Sequence, residues 1–165
     1  MFDSNKPQQA VIGWLDTATF ETVVDSTPLI SIDLVVCNAQ GEYLFGMRNN
    51  RPAQGYWFVP GGRVQKNETL DAAFQRLTQG ELGIRLARSQ GKFKGVYEHF
   101  YQDSIFGEQI ATHYLVLAYE ISLTDVAARL DTKQHTDMLW VEPTNFSQYQ
   151  IHRYSLDYFK NQHEL

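Results

Sequence analysis

Hydrophobic and polar positions along the chain predict strands and helices in a mixed order. The β-branched run from Leu29 to Cys37 and the segment from Tyr43 to Met47 are expected to pair as a hairpin, because Asn38-Ala39-Gln40-Gly41 between them favours a turn. Further strands are predicted at Trp57 to Val59, which Pro60-Gly61-Gly62 stops, at Phe93 to Tyr101, at Ile110 to Ile121 and at Met138 to Val141.

The clearest helical pattern lies in the middle of the chain. Leu70, Ala73, Phe74 and Leu77 recur at the spacing of one helical face, and Gly83 stands where a left-handed cap would end the helix. Two shorter helices are predicted, one from a cap at Asp16 to the turn at Asp25-Ser26-Thr27-Pro28 and one from Arg153 to Gln162. This order of elements predicts an α/β (α+β) fold in which a mixed β-sheet is sandwiched between helices.

The composition fits one globular domain. The chain has 165 residues, of which 43% are hydrophobic, so we expect a single domain over residues 1–165, with an N-terminal extension before Asp16. Cys37 is the one cysteine, which excludes an intrachain disulfide and predicts a buried, inert thiol in a reducing compartment. With no leader pattern and no run approaching roughly 18 apolar residues, we expect a cytoplasmic protein without a membrane partner.

The charge distribution is uneven. The net charge of −5 argues against nucleic acid as a partner. Between Gly46 and Lys66, however, no Asp or Glu occurs, and the cations there are Arg48, Arg51, Arg63 and Lys66. This basic segment is either a binding site for a small anion or an ordinary solvated loop.

One carboxylate falls on the apolar face of the central helix. Glu81 projects onto the same face as Leu70, Phe74 and Leu77. A carboxylate in that position is either paired or bound to a metal, or it lies in the last turn and points to water. Before this helix, Gly61-Gly62 lets the backbone approach a ligand closely.

These residues combine into a known pattern. Gly62, Glu68, Arg76, Glu81 and Gly83 follow one another with the spacing of the Nudix box, and the chain therefore resembles the Nudix family. The resemblance implies the Nudix fold, and it implies that Arg76 pairs with Glu68.

The box departs from the family pattern at two positions. Leu77 and Gly80 stand where the family usually has glutamates that hold divalent metal. Fewer oxygen ligands support fewer metal ions, so a cluster of metals that activates water against phosphorus is not expected.

With this altered box, the chain resembles the GDP-mannose mannosyl hydrolases, a branch of the Nudix family. The resemblance covers most of the span from Phe20 to Trp140. Its matching segments are Ser26 to Leu29, Asn50 to Lys66, Arg76 to Thr78, His99 to Tyr101, Thr112 to Tyr114 and Gln134-His135.

The resemblance implies a reaction and a metal site. Water would attack the anomeric carbon of GDP-mannose or GDP-glucose and release GDP and the sugar with inverted configuration. One Mg²⁺ ion per active site, with Mn²⁺ as a substitute, would be held by the Gly61 carbonyl, the Glu81 carboxylate and the Gln134 side chain. His135 would be the general base, although a lone histidine in a polar loop is by itself more often a surface residue. The resemblance also implies a homodimer and a role in polysaccharide biosynthesis.

Other site residues are also implied by the resemblance. Arg48 and Arg63 would bind the leaving diphosphate, and Asp33 would be an active-site carboxylate. His99, Tyr101 and Tyr114 would contact the substrate. From the sequence pattern alone, Asp33 could equally be an outward-facing strand residue, and the three aromatic residues could serve packing only.

Two other function classes remain open at this point. A Nudix enzyme that attacks phosphorus would give GMP and a sugar phosphate, but this box lacks the full carboxylate set that would favour it. A catalytically silent module that binds nucleotide sugars would keep affinity without turnover. The presence of Glu81, Gln134 and His135 argues against the silent module.

Overall fold

A mixed β-sheet forms the centre of the molecule. The computed structural model describes residues 15–123 and 137–160, and in these residues seven strands make one sheet. The strands are β1 (Leu29–Asn38), β2 (Tyr43–Met47), β3 (Trp57–Phe58), β4 (Gly61–Arg63), β5 (Lys92–Tyr101), β6 (Thr112–Leu123) and β7 (Met138–Val141). The helices are α1 (Thr17–Ser26), α2 (Leu70–Leu82) and α3 (Arg153–Asp157), with short 3₁₀ turns at Arg88–Gln90 and Pro143–Gln148.

The two long strands β1 and β6 run parallel at the centre of the sheet. Their register extends from the pair Leu29 and Tyr114 to the pair Asn38 and Leu123. The strand order is β3-β2-β1-β6-β5, with β4 antiparallel to β1 and β7 antiparallel to β2. Because a parallel pair needs a long crossover connection, α2 and β5 lie between β1 and β6 in the sequence.

Helices cover both faces of the sheet. On one face α2 packs Phe74 and Leu77 against side chains of β1 and β6, such as Ile32 and Ile121. On the other face a second core forms around Val35, Phe45, Val59, Ala118, Val141, Ile151 and Tyr158. This arrangement confirms the predicted mixed sheet between helices. No helix in the described part of the chain is both long and apolar enough to cross a membrane.

The predicted helix boundaries at α1 and α2 are correct for a physical reason. Asp16 caps α1 by accepting a hydrogen bond of 3.0 Å from the Thr19 backbone, and Thr69 caps α2 in the same way through Ala72. Gly83 ends α2 in the left-handed region with φ 69°, where glycine has no steric penalty.

Three predictions about local structure are wrong. Gly61–Arg63 forms the strand β4, because glycines allow this segment to lie directly against β1. The C-terminal helix is shorter than predicted and ends at Asp157, and residues 161–162 lie outside the described range. Cys37 is half-buried, because it lies one residue before the end of β1, beside the hairpin turn.

Candidate active site

Two adjoining cavities share walls formed by Arg48 and by the segment from Phe58 to Gly61, at the start of β4. The first has a volume of about 420 Å³, and its walls include Asn49, Glu81 and Asp137. The second has a volume of about 240 Å³, and its walls include Asp33, Arg63, His99, Tyr101 and Tyr114. Arg48, Phe58, Val59 and Gly61 line both cavities.

The structure brings together the predicted site residues that it describes. Six of them besides Gly61 line the second cavity, Arg48 and Gly61 line both cavities, and Glu81 lines the first. The six are Asp33, Arg48, Arg63, His99, Tyr101 and Tyr114. The predicted metal ligand Gln134 and the predicted base His135 lie outside the described residues.

Gly61 is the point at which the backbone comes closest to the site. A Cβ atom at this position would collide with the Ile32 carbonyl oxygen and would lie 2.7 Å from Asp33 Oδ1. Register pairing of Gly61 with Asp33 fixes this approach. The absence of a side chain therefore lets β4 pack against β1 and exposes the Gly61 backbone to both cavities.

Asp33 projects from β1 towards the second cavity. Tyr158 donates a hydrogen bond of 2.6 Å from its hydroxyl to Asp33 Oδ2. Enclosure by the protein raises the pKa of Asp33 to about 6, although the Tyr158 hydrogen bond and the positive charge of Arg48 act in the opposite direction. At neutral pH this carboxylate is therefore mostly ionised.

His99 is a buried neutral imidazole beside Asp33. Its Nε2 lies 3.3 Å from the Tyr158 hydroxyl, and its ring stacks on Tyr154 with 4.1 Å between the ring centres. Burial, assisted by the charge of His152, lowers the pKa of His99 to about 4 against the opposing effect of Asp157. The imidazole is thus uncharged at neutral pH and can either donate or accept a hydrogen bond.

The two predicted diphosphate ligands, Arg48 and Arg63, have no carboxylate partners within residues 15–123 and 137–160. Among the described residues, neither Arg48 nor Arg63 forms an ion pair, and Arg48 Nε is buried without a hydrogen-bond partner. The guanidinium of Arg48 lies 5.4 Å from the Phe58 ring, and that of Arg63 lies 3.9 Å from the Phe20 ring. Burial lowers the pKa of Arg63, although the group stays charged. An anion in the second cavity would satisfy both cations.

Tyr101 and Tyr114 present phenolic hydroxyls to the same cavity. Burial raises the pKa of both groups, so each hydroxyl keeps its proton and can donate a hydrogen bond. The two rings meet edge to face with 6.4 Å between their centres. This wall of the cavity therefore offers neutral donors next to the two cations.

Arg76 and Glu68 form the predicted ion pair. Arg76 Nε and Nη2 donate hydrogen bonds of 2.6 and 2.8 Å to the Glu68 carboxylate, and Nη2 also donates to the Arg63 carbonyl at 2.8 Å. Glu68 accepts a further hydrogen bond of 2.9 Å from the Gln65 backbone. The pair thus fastens the segment that carries Arg63 to α2.

The first cavity offers oxygen donors that fit a hard cation. Glu81 is half-buried in the last turn of α2 and lines the cavity together with the backbone of Gly61 and with Asp137. Carboxylate and carbonyl oxygens are the ligands that Mg²⁺ prefers. In the described ranges, no three His, Cys, Asp or Glu side chains are grouped as a metal site.

Sequence reasoning missed two residues that the fold places at the site. Asp137 accepts a hydrogen bond of 2.9 Å from Asn49 at the rim of the first cavity. Its position in the sequence, just before β7 and two residues after His135, could have identified Asp137 as a candidate site residue. Tyr158 reaches Asp33 from 125 positions along the chain, and no local pattern signals that contact.

Comparisons with known proteins identify the family of the chain. The sequence pattern of the NUDIX domain matches residues 27–160. The chain is 42% identical over 124 residues to the low-salt glycan biosynthesis protein Agl8 of Haloferax volcanii, an alignment that covers 75% of this chain and 77% of that protein.

Solved structures with the same fold have lower sequence identity. The MutT protein from Methanosarcina mazei Go1 has a TM-score of 0.62 and 24% identity, over 81% of this chain and 92% of its own. The NUDIX domain of Shewanella oneidensis NrtR complexed with ADP ribose has a TM-score of 0.59 and 16% identity, over 87% of this chain and 94% of its own.

Proposed function

Because the chain belongs to the NUDIX family of hydrolases, we propose that it hydrolyses the nucleotide sugar GDP-mannose to GDP and mannose, with GDP-glucose as a second substrate. Water attacks the anomeric carbon and inverts its configuration. The supporting observation is that Arg48 and Arg63, which have no carboxylate partners among the described residues, share a cavity with Asp33.

The two arginines suit a leaving group that gains negative charge. When the bond from the anomeric carbon to the diphosphate oxygen breaks, the electron pair stays on GDP. Guanidinium groups bind phosphate oxygens through several N–H groups, and fixed cations stabilise charge that develops in a transition state. The unpartnered Nε of Arg48 is therefore available to the diphosphate.

The α2 helix supports attack at carbon. Two of its positions, Leu77 and Gly80, carry glutamate in the family's usual box. Leu77 is packed in the core against the sheet, and Gly80 is exposed, with open space where a Cβ would point. Neither residue supplies an oxygen ligand. The remaining donors, the Gly61 carbonyl and the Glu81 carboxylate together with Gln134, would hold Mg²⁺, which supplies positive charge to the departing diphosphate when bound.

The general base in this proposal is His135. A new bond forms between the water oxygen and the anomeric carbon, and the imidazole takes the proton that the water loses. Asp137, two residues later in the sequence, lines the first cavity, which supports the assignment of the base to this segment of the sequence. Asp33, His99, Tyr101 and Tyr114 would hold the substrate in the second cavity.

We further propose that the protein acts in glycan biosynthesis as a homodimer. The glycan role is suggested by the name of the relative Agl8. A dimer is supported by one face of the sheet, where Ile30, Val96 and Phe100 are 50%, 60% and 52% exposed. The strand registers place these three apolar side chains on the same face.

Phosphorus NMR of the products tests the proposed reaction. With GDP-mannose and Mg²⁺ we expect the paired phosphate signals of GDP, whereas attack at phosphorus would give the two monoester signals of GMP and mannose phosphate. Glu81→Gln should abolish most turnover, and Glu142→Gln, which alters an exposed carboxylate after β7, should leave it unchanged. Absence of turnover in the wild-type protein would contradict the proposal.

A further inference from the structure

Tyr158 follows the last residue of α3 and extends into the middle of the sheet. Its side chain is 2% exposed, and its ring packs edge-on against Tyr97 with 4.7 Å between the ring centres. On the face of the sheet opposite α2, its hydroxyl contacts Asp33 and His99, two residues that line the second cavity. Nothing in the sequence pattern of the site includes this residue.

The hydroxyl of Tyr158 lies between two residues of the proposed substrate pocket. It is 2.6 Å from Asp33 Oδ2 and 3.3 Å from His99 Nε2. The single phenolic proton is donated to Asp33 Oδ2, which is the nearer of the two partners. The phenolic oxygen is then left to accept, which requires the proton of the neutral imidazole to be on His99 Nε2.

We propose that Tyr158 is a positioning residue whose hydroxyl orients the Asp33 carboxylate and fixes His99 in the Nε2–H tautomer. With Oδ2 held by Tyr158, Asp33 Oδ1 faces the Gly61 backbone, 2.7 Å from where a Cβ of Gly61 would lie. The Nδ1 of His99 keeps a free lone pair. Two residues that line the second cavity then each carry an acceptor of fixed direction, which suits the hydroxyl groups of a sugar. This inference rests on the proposed function, which makes Asp33 and His99 substrate contacts.

The hydroxyl of Tyr154, four residues earlier in the sequence, has a purely structural role. The Tyr154 hydroxyl accepts from the Phe100 backbone N–H and donates to the Phe100 carbonyl, both at 2.8 Å. It therefore ties the start of α3 to β5. The Tyr158 hydroxyl makes its hydrogen bonds to side chains that line the second cavity instead.

Tyr158→Phe tests the proposal because it removes the hydroxyl and keeps the packed ring. Tyr119→Phe is the matched control, since Tyr119 is also buried and its hydroxyl accepts a hydrogen bond from Arg88 on the other face of the sheet. Protein labelled with ¹⁵N-histidine is studied by NMR at pH 8, with His99→Gln to assign the His99 signals. Turnover of GDP-mannose is measured on the same samples.

We expect the wild-type protein and Tyr119→Phe to show the Nε2–H form of His99. Tyr158→Phe should show a mixture of tautomers and a kcat lowered by about tenfold or more, with KM changed by less than about threefold. An unchanged tautomer in a folded Tyr158→Phe protein, or an unchanged kcat, would overturn the proposal. If the wild-type protein does not hydrolyse GDP-mannose, the proposed function fails, and the tautomer result still decides the role of the hydroxyl.

Discussion

Arg76 on α2 binds Glu68 through two hydrogen bonds, of 2.6 and 2.8 Å, and only 6% of the Glu68 side chain remains exposed to solvent. The hydrogen bonds from Arg76 lower the pKa of Glu68, so the carboxylate stays ionised in this setting. Arg76 also donates a hydrogen bond to the Arg63 carbonyl. The ion pair that stabilises the fold therefore also holds in place Arg63, a residue that we propose binds the diphosphate.

Glu68→Gln should lower the free energy of unfolding by about 1–3 kcal/mol, since it removes a charge-assisted pair from a largely buried position. Asp71→Asn is the control, because the Asp71 to Arg88 pair is exposed and should contribute about 0–1 kcal/mol. Urea unfolding of both variants gives the comparison. Equal losses in the two proteins would contradict the structural role of Glu68.

Arg48→Met should lower kcat/KM without lowering the stability of the free protein. The change removes a half-buried guanidinium whose Nε is buried and has no hydrogen-bond partner among the described residues, so the free protein should be at least as stable as the wild type. Loss of its contact with the diphosphate should lower kcat/KM by about 100-fold. Arg85→Met, which removes an exposed side chain bonded to Gln75, should leave kcat/KM unchanged. Wild-type kcat/KM in Arg48→Met would exclude Arg48 from the site.

Alanine substitution should have opposite effects on protein stability at Gly61 and at Gly80. A Cβ at Gly61 collides with the Ile32 backbone, so Gly61→Ala should destabilise the protein and reduce turnover. Gly80 lies on the exposed side of α2 with open space around it, so Gly80→Ala should stabilise the helix by about 0.5–1 kcal/mol with turnover unchanged. Thermal unfolding and steady-state assays measure both effects. A stable, active Gly61→Ala protein would refute the close approach of β4 to β1.

The buried imidazole of His99 should make stability depend on pH. Its pKa falls from 6.5 to about 4 on folding, so the folded state binds fewer protons than the unfolded state in this range. The contribution of neutral His99 to the free energy of unfolding is therefore fully present above pH 6.5 and is lost as the pH falls towards 4. The slope of unfolding free energy against pH should therefore be smaller in His99→Gln, by up to about 1.4 kcal/mol per pH unit. Urea unfolding at about pH 8, 6 and 5 makes the comparison, and identical slopes would contradict it.

The exposed sheet face predicts how the oligomer can be disrupted. If the apolar side chains of Val96 and Phe100 are covered in a homodimer, Phe100→Lys should convert the dimer to a monomer, which sedimentation velocity detects. Tyr149→Lys is the control, because Tyr149 is 40% exposed but follows the 3₁₀ turn Pro143–Gln148 and is not part of this sheet face, so the dimer should persist. A wild-type protein that sediments as a monomer would contradict the proposed dimer.

The sequence was sufficient to predict most of the regular elements and to single out most residues of the candidate site. Helix α2 has a periodic apolar face, a Thr69 cap and a Gly83 stop, all of which are local signals. The resemblance to the Nudix family placed Asp33, Arg48 and Gly61 at one site, and the fold brings them to shared cavity walls. The roles of these residues in catalysis stay predictions.

The remaining features depend on contacts between distant parts of the chain. Gly61–Arg63 pairs with β1 although glycine has little preference for strands, because tertiary contact decides the conformation there. Tyr158 meets Asp33 across 125 positions. Such a contact has no spacing or motif that a single sequence could reveal.

The most direct test of the proposed reaction is the position of the oxygen that water contributes. The enzyme, GDP-mannose and Mg²⁺ are incubated in water labelled with a heavy oxygen isotope, and the masses of the products are measured by mass spectrometry. Label in mannose and unlabelled GDP are predicted, because water attacks the anomeric carbon. Label in GMP or in mannose phosphate would show attack at phosphorus and would contradict the proposed reaction.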